Sequence, residues 1–513
     1  MQPVQVRSSL SPIMQDIKLH IQARYPLLYI VSWEEDRVIA EIEKIAISDD
    51  QRKMVYTWSE TVGLQNIVLN QADSATVDPI QVLNHISASK EKAIYLLLDF
   101  HPFFKEHQIL RWVRDTAKAL KMSNKTLIFL SPKLVLPDEL AKEIVVFDFD
   151  LPTLEELGVA LDESIEHAKH DSRLKSIRLK KGQRERLLKA SQGLTLDEMQ
   201  SVLKKAFVAH QKIGESTIPL MLEEKKQIIR KSEILEYFSP EETFAEIGGL
   251  QHLKRWLAKR DKAFTEDARK FGLPVPKGLL LVGVQGCGKS LTAKAVASQW
   301  KLPLLRFDLG KVFSGLVGSS EENIRKAIKV AESVAPCILW IDEIEKGLSG
   351  SASSNFSDAG TTARVFGTFT TWLQEKTKPV FVIATANNIA QLPPEILRKG
   401  RFDDIFFVDL PGAEERKDIF RIHLEKRHRS ATQFDLDVLQ REAEGFSGAE
   451  IEQVIISALY DAFEHVRPLT TEDIVKSIQE TVPLSCTMAE QIAALREWAT
   501  TRARNASGTN EKG

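Results

Sequence analysis

The sequence predicts an α/β protein with two modules, each a parallel β-sheet flanked by helices, and a small helical domain after the second sheet. Short apolar runs of buried-strand type alternate with stretches of helical spacing, which is the pattern of a parallel sheet. A glycine-rich turn joins one such run to a helix at residues 283–290. The landmarks of the first half recur in the same order in the second half, so we expect an internal repeat.

The composition is that of an ordinary soluble chain. Its 513 residues are 43% hydrophobic and 27% charged, which is enough for two to four domains with full cores. The formal net charge of −2 gives no general reason to expect nucleic-acid or membrane binding. Three distant cysteines without metal-ligand spacing, and the lack of a secretory or membrane-spanning apolar segment, predict an intracellular protein with free thiols.

The turn GVQGCGKS fits the G-x-x-x-x-G-K-[ST] pattern of a phosphate-binding loop, the Walker A motif. Glycines let backbone N–H groups curl around phosphates, and the following helix points the positive end of its dipole at them. Lys289 is expected to reach the β- and γ-phosphates, and Ser290 to ligate Mg²⁺. The nucleotide-binding residues predicted in this segment are Gly283, Val284, Gln285, Gly286, Cys287, Gly288, Lys289, Ser290 and Leu291.

Two further apolar runs end in polar residues that suit hydrolysis. The run CILWI, residues 337–341, is followed by Asp342 and Glu343, which we expect to hold Mg²⁺ and to activate water, respectively (the Walker B pattern). Alone, a strand that ends in acids is as often structural as functional. Together with the phosphate-binding loop it is a strong functional signal. The next run, in PVFVIATANN, ends at Asn387, and Arg398 and Arg401 follow on a loop.

In their order and spacing, these motifs resemble the AAA family of ATPases over residues 243–500. The resemblance implies that Ile247 and Gly248, within IGGL, lie against adenine. It also implies that Asn387 orients the attacking water, and that Arg398 and Arg401 act on the nucleotide of a neighbouring subunit. GFSGAEI, residues 445–451, resembles the start of the sensor-2 helix, with Ala449 where other families carry arginine.

The resemblance further implies ATP and Mg²⁺ as cofactors, and a homo-oligomeric, usually hexameric, ring that remodels a protein or ribonucleoprotein client. The expected pore-loop tip, Leu316-Val317-Gly318, lacks the aromatic residue of many AAA motors, although Phe313 lies three residues earlier. A second hypothesis is therefore an ATP-gated scaffold whose ring does not thread a client. Residues 347–362, rich in Gly and Ser, predict a flexible loop, which is either a second pore loop or a plain connection.

The first half repeats the strand order of the second without its chemistry. Its turn SWEEDR, residues 32–37, stands where the phosphate-binding loop stands, and three carboxylates there would repel triphosphate. The run AIYLLLDF ends in Asp99, with Phe100 aligned to the second acid, and Lys142 takes the place of Arg398. We therefore expect a degenerate AAA-like module. The alternative is an unrelated α/β domain.

Two local features carry alternative interpretations. Cys287 lies inside the phosphate-binding loop, where it is either a redox-sensitive thiol or, as we favour, a small residue whose side chain points inward. The stretch KSIRLKKGQRERLLK, residues 175–189, is strongly basic. It predicts either a nucleic-acid contact or, as its lack of aromatic residues favours, a solvated helix face.

The predicted domains are a degenerate module at 1–215, a helical linker at 216–242, an ATPase core at 243–412, a helical lid at 413–502 and a disordered tail at 503–513. The two-module layout resembles the AAA proteins of cyanobacteria and of algal plastid genomes. That resemblance implies a place in the cyanobacterial cytosol or the plastid stroma, and a role linked to photosynthesis.

Overall fold

The computed structural model describes residues 11–48, 52–169, 179–238, 242–264, 268, 270–313, 319–349 and 356–508. These residues fall into two compact units. The first unit contains the described residues up to 169, together with 195–201. The second contains 179–194 and the described residues from 202 to 508. No helix among these residues is long and apolar enough to cross a membrane.

The strands are numbered in chain order. They are β1 (Leu27–Val31), β2 (Met54–Ser59), β3 (Gly63–Asn66), β4 (Gln71–Asp73), β5 (Ala93–Leu98), β6 (Thr126–Ser131), β7 (Ile144–Asp148), β8 (Leu235–Phe238), β9 (Gly278–Gly283), β10 (Leu304–Phe307), β11 (Cys337–Ile341), β12 (Val380–Ala386), β13 (Asp404–Val408) and β14 (Arg504–Asn505).

The α-helices are numbered in the same way. They are α1 (Pro12–Gln22), α2 (Glu35–Ser48), α3 (Pro79–Ala88), α4 (His107–Lys121), α5 (Leu154–Lys169), α6 (Lys181–Ser191), α7 (Leu196–His210), α8 (Ile218–Lys231), α9 (Gln251–Ala258), α10 (Lys289–Trp300), α11 (Leu309–Phe313), α12 (Ser319–Val334), α13 (Lys346–Ser349), α14 (Phe356–Glu375), α15 (Ala413–Lys426), α16 (Leu436–Glu442), α17 (Gly448–Glu464), α18 (Thr471–Gln479), α19 (Leu484–Thr487) and α20 (Ala489–Arg502).

Each unit contains one seven-stranded sheet, and the two sheets share a parallel core. The first sheet has the order β4-β3-β2-β5-β6-β1-β7, and the second has the order β14-β13-β9-β12-β11-β10-β8. In both, a core of five neighbouring strands that pair in parallel has the same order: numbered along the chain within that core, they run fifth, first, fourth, third and second across the sheet. The internal repeat and the α/β fold with parallel sheets are therefore confirmed.

The core strands are buried because apolar clusters cover both faces of each sheet. In β9, for example, Leu280 and Val282 pack into one cluster, and Leu279 and Leu281 pack into the other. A separate apolar cluster holds the helical lid, α15 to α18, together. The strand ends that carry the predicted site residues thus extend from strands that are buried on both faces.

The structure differs from the sequence-based organisation at the linker. Helix α8 lies where a helical linker was expected, but β8 follows it and pairs antiparallel with β10. Ile229, Ile234 and Leu235 belong to the apolar core of the second unit. Residues 216–238 are thus part of that unit rather than a spacer, because their apolar residues complete its core.

Two segments expected to lack structure are partly ordered. Residues 504–505, in the expected tail, form edge strand β14, because their backbone pairs with β13. Within the expected loop at 347–362, residues up to 349 belong to α13 and residues from 356 belong to α14. Helix α14 forms despite its many Gly and Thr residues because Val365, Phe366 and Phe369 pack into the core.

Two other predicted features lie partly or wholly outside the described residues. The pore-loop tip Leu316-Val317-Gly318 lies wholly outside them, as do residues 350–355 of the expected loop. The basic stretch at 175–189 is described from residue 179, and most of it belongs to α6. Lys189, in the last turn of α6, is exposed, which agrees with a solvated helix face.

Candidate nucleotide-binding site

A cavity of about 360 Å³ opens in the second unit where β9, β11 and β12 end. It is lined by most of the predicted binding and catalytic residues, namely Ile247, Gly248, Gln285, Gly286, Cys287, Gly288, Lys289, Ser290, Leu291, Asp342, Glu343, Asn387 and Ala449. It does not include Gly283, Val284, Arg398 or Arg401 in its lining. The carboxyl ends of neighbouring parallel strands therefore bring the separate motifs together.

Glycine is required at different positions of the loop for different structural reasons. Gly286 and Gly288 have φ angles of 78° and 85°, which favour glycine. A Cβ atom on Gly286 would also lie 2.9 Å from the Oγ atom of Ser447. Gly283 instead faces β13, where a Cβ atom would lie 2.0 Å from the carbonyl oxygen of Val408. Gly283 is therefore required for packing within the sheet, and its contact with phosphate stays a prediction.

Lys289 is held by the loop that it follows. Its Nζ atom donates to the carbonyl oxygens of Gly283, at 2.9 Å, and Val284, at 2.7 Å. The side chain is buried, and this burial lowers the pKa of Lys289 to about 8. A buried ammonium at a helix N-terminus attracts anionic groups strongly, because both the charge and the helix dipole are positive there.

Ser290 and Asp342 meet at the bottom of the cavity. The Ser290 hydroxyl donates to Oδ1 of Asp342 at 2.8 Å, and the Thr385 hydroxyl donates to the same oxygen at 2.7 Å. These oxygen donors fit Mg²⁺, which binds through one or two carboxylates and substrate phosphates and keeps several waters. Among the described residues, no cluster of three His, Cys, Asp or Glu side chains could hold a metal ion, so a cage made only of such side chains is not offered.

Glu343 and Asn387 form the second pair of the site. The Asn387 side-chain amide donates to Oε1 of Glu343 at 2.8 Å, and Lys346 contacts the same carboxylate. Glu343 has a φ angle of 49°, which is unusual for a residue other than glycine. Its backbone N–H donates to the Thr385 hydroxyl at 2.8 Å. Thr385, which the sequence analysis missed, thus contacts both acids.

A third acid supports Asn387 from below. Glu345 is buried, and its Oε1 atom accepts the backbone N–H of Asn387 at 2.8 Å. Burial raises the pKa of the Glu345 carboxyl. The run IDEIE shows this acid in the sequence, but only the fold shows that it holds the backbone of the next strand's end.

The Cys287 side chain is partly buried against the apolar cluster beneath the loop. Burial raises the pKa of its thiol to about 12, which outweighs the opposite effect of Lys289. The thiol is therefore protonated at neutral pH, and a protonated thiol is a poor nucleophile. This geometry favours the interpretation of Cys287 as a small structural residue.

One end of the cavity is closed by the segment before α9 and by the lid. Gly248 lies so close to α15 that a Cβ atom would be 2.6 Å from Ile419. Glu415 accepts the backbone N–H of Leu250 at 3.1 Å and that of Gly412 at 3.0 Å. This end is also lined by residues that the sequence analysis did not single out, namely Glu415, Ile419, Ile422, His423, Glu452 and Ser507.

The start of α17 contacts the phosphate-binding loop directly. The backbone N–H of Ala449 donates to the carbonyl oxygen of Gly286 at 3.0 Å. Ser447 caps the helix and forms a reciprocal capping box with Glu450. The lid is thus hydrogen-bonded to the loop by backbone, at the position where a sensor-2 arginine would otherwise project.

The two arginines stand apart from this cavity. Arg398 is exposed, and Arg401 is half-buried with no hydrogen-bond partner for its Nε atom among the described residues. Neither arginine lines the cavity that contains Glu343 of the same chain.

The corresponding turn of the first unit is closed by its own side chains. Glu34 accepts the backbone N–H of Leu196, the first residue of α7, at 2.8 Å. Its other oxygen pairs with Arg37 at 2.6 Å, and Arg37 also pairs with Glu156 at 3.0 Å. In the second unit, the corresponding bond joins the backbone N–H of Ala449, in α17, to the backbone carbonyl oxygen of Gly286. In the first unit, the acceptor for the helix N–H is therefore a side-chain carboxylate, that of Glu34, instead of a backbone carbonyl.

The third parallel strand of each unit ends beside an acid. Asp99 directly follows β5, as Asp342 directly follows β11. Asp99 also has a φ angle of 48°, close to the 49° of Glu343. Phe100, which the sequence aligns with the second acid, is a buried core residue.

Comparison with known proteins agrees with this geometry. Profiles of the SpoVK-like AAA ATPase match residues 13–149 (N-terminal domain) and 155–232 (second domain), and the profile of the ATPase family associated with various cellular activities matches residues 279–410. The "Uncharacterized AAA domain-containing protein ycf46" of Guillardia theta is 43% identical over 95% of this chain and 94% of its own length. The chain belongs to the AAA ATPase family.

Other relatives of this AAA ATPase extend the picture. The ycf46 protein of Pyropia yezoensis is 44% identical over 96% of this chain and 99% of its own length. The proteasome-activating nucleotidase of Saccharolobus solfataricus is 32% identical over 53% of this chain and 70% of its own length.

Proposed function

We propose that the second unit binds ATP with Mg²⁺ and hydrolyses it within a homo-oligomeric ring that remodels a protein or ribonucleoprotein client. The observation that carries the proposal is the convergence of two hydrogen-bonded pairs in one cavity. The Ser290 hydroxyl donates to Asp342 at 2.8 Å, and the Asn387 amide donates to Glu343 at 2.8 Å. The buried ammonium of Lys289 belongs to the same cavity.

The residues have separate tasks in this reaction. Backbone N–H groups of the loop and the ammonium of Lys289 bind and orient the phosphates. The Glu343 carboxylate accepts a proton from the attacking water, and Asn387 fixes the direction of that carboxylate. General-base assistance of this kind contributes about 10²–10⁴-fold in rate. The chemistry itself requires little else from the protein, because phosphoryl transfer depends on positioning and on charge stabilisation.

Ser290 and Asp342 are the residues that would hold Mg²⁺. When bound, the metal ion neutralises the negative charge of the phosphate oxygens. Thr385 keeps Asp342 in place by donating to its Oδ1 atom at 2.7 Å.

Arg398 and Arg401 would act on the nucleotide of a neighbouring subunit. Their position outside their own cavity supports this role, because an arginine that is needed but remote must come from another copy. An arginine supplied in trans is worth about 10³–10⁵-fold in related NTPases. Head-to-tail contacts of this kind close into rings, and a hexamer is the form that we propose.

The first unit would not take part in the chemistry. Its turn has Glu34 and Arg37 bonded to each other, and Phe100 takes the place of the second acid, Glu343. Similarity to a proteasome-activating nucleotidase supports a remodelling role for the second unit. Similarity to algal ycf46 proteins supports a place in the plastid stroma or the cyanobacterial cytosol, and a client in photosynthetic cells.

Mixing two inactive variants tests the ring. A Glu343→Gln protein and an Arg398→Ala/Arg401→Ala protein should each release little phosphate from ATP. In mixed rings, the second variant keeps an intact Glu343 and receives arginines from the first, so activity should reappear. No recovery in rings shown to contain both variants would contradict action in trans. Each variant mixed with more of itself serves as the control.

A second substitution separates the motor from the scaffold. Replacing both Leu316 and Val317 by alanine should abolish client processing and leave ATP hydrolysis intact if the client is threaded. Clients captured by the Glu343→Gln protein are the substrates for that assay. Unchanged processing would favour the scaffold hypothesis.

A further inference from the structure

Residues 504–508, which follow the helical lid, return to the ATPase core. Arg504 and Asn505 form β14, parallel to β13, in register with Phe406 and Phe407. The backbone N–H of Ala506 continues the ladder by donating to the carbonyl oxygen of Phe407 at 2.9 Å. The segment is thus joined to the sheet by its backbone, which its polar sequence does not predict.

Ala506 is the buried residue of this segment. Its side chain is 0% exposed and packs into the apolar cluster beneath the phosphate-binding loop. Its carbonyl oxygen accepts the backbone N–H groups of His252, at 3.0 Å, and Leu253, at 3.1 Å. These are two of the free donors in the first turn of α9, so Ala506 caps that helix. The cap fixes the position of the segment immediately before α9.

Ser507 then reaches the cavity itself. It lines the cavity together with Gly248 and Leu250. Its backbone N–H donates to Oδ1 of Asn505 at 2.9 Å, which holds the turn after β14. The phosphate-binding loop and Glu343 line one part of this cavity. The segment at 504–508 is bonded instead to the start of α9, next to Gly248 and Leu250, which line another part. Ser507 therefore lies on the side where a nucleoside, rather than its phosphates, would be placed.

Helix α20, which leads into the segment, is also attached to the cavity. Arg496 donates to the Asp409 carboxylate from its Nε atom, at 2.9 Å, and from its Nη2 atom, at 3.0 Å, and Asp409 lines the cavity. Arg504 pairs with Asp404 at 3.0 Å. The chain after the lid is thus fixed at three successive places along one wall of the cavity: Asp409, β13 and the start of α9.

We infer that residues 504–508 form a wall of the nucleoside end of the ATP site, with Ser507 facing the nucleoside, so that nucleotide binding and docking of this segment stabilise each other. The inference rests on the proposed function, because it needs a nucleotide in the cavity. It adds the residues that bind the base and ribose side. Coupling between two binding events is reciprocal. A bound nucleotide must therefore strengthen docking of the segment by the same factor by which docking strengthens nucleotide binding.

A charged residue at position 506 tests this coupling in the full-length chain. The Ala506→Glu protein should bind ADP about tenfold more weakly than the wild type, because the segment must leave its buried position before a carboxylate can be accommodated. Thr501→Glu is the matched control, since it adds the same charge on the exposed face of α20 and should leave ADP affinity within about twofold. Titration calorimetry with ADP measures both without hydrolysis.

Hydrogen exchange of the wild-type chain provides a test that needs no variant. Amide exchange in a peptide covering residues 503–508 should slow by about tenfold when ADP saturates the protein. Unchanged exchange, or equal ADP affinity of the wild type and a folded Ala506→Glu protein, would overturn the inference and leave the proposed function standing. A wild-type protein that binds neither ADP nor ATP would overturn both.

Discussion

Replacing Thr385 by valine removes a hydroxyl that contacts both acids of the site and keeps the side-chain shape. The hydroxyl donates to Asp342 at 2.7 Å and accepts the backbone N–H of Glu343 at 2.8 Å. A hydrogen bond to a charged group contributes about 1.5–3 kcal/mol, and a neutral one about 1 kcal/mol. Glu343 also holds a left-handed φ angle of 49°, which costs about 1–2 kcal/mol for such a residue.

If about 2 kcal/mol of this is lost from the positioning of Glu343, kcat should fall about 30-fold. The KM for ATP should change little, because Lys289 and the loop are untouched. Phosphate release at saturating ATP and protein concentration measures both constants. Thr481→Val is the control, since its hydroxyl donates to Ser477 within the lid, at 2.8 Å, and does not line the cavity. A folded Thr385→Val protein with kcat within twofold of the wild type would show that the Thr385 hydroxyl does not position Glu343.

Three further predictions concern the first unit, the loop lysine and a loop glycine. Glu34→Ala should cost the first unit about 2 kcal/mol, because Leu196 loses its acceptor, and calorimetry should show a lower unfolding temperature with unchanged ATP hydrolysis at 25 °C. Affinity for ATP should fall about tenfold between pH 7 and pH 9 in titrations at constant ionic strength, because only protonated Lys289, with a pKa of about 8, pairs with phosphate; a flat profile would contradict this. Gly286→Ala should weaken ATP binding at least tenfold, because its φ angle of 78° disfavours a side chain, whereas Gly182→Ala, with open space around its Cβ position, should bind as the wild type does.

The sequence predicted the parts of the site that are encoded locally. The phosphate-binding loop is one contiguous segment, and the strand endings at Asp342 and Asn387 place polar residues at one edge of a parallel sheet. The meeting of Ser290 with Asp342 follows from that edge, and the structure shows it. The internal repeat was visible for the same reason, since each apolar strand is recognisable alone.

Contacts between distant segments were not visible. Glu34 bonds to Leu196 across 162 residues, and no pattern near either residue indicates the pairing. The two-residue strand β14 shows no alternation from which a strand could be predicted. Thr385 lies in an apolar run where a threonine is an ordinary strand residue. In each case the partner, rather than the local sequence, decides the structure.

In the proposed mechanism, Glu343 activates water but is not needed for ATP to bind. The direct test measures bound ATP and released phosphate for the Glu343→Gln protein beside the wild type. Glutamine keeps an oxygen to accept the Asn387 amide but cannot accept a proton from water. ATP should bind to the variant at least as tightly as to the wild type, and phosphate release should fall at least about 100-fold. Turnover at the wild-type rate in a folded Glu343→Gln protein would contradict this mechanism.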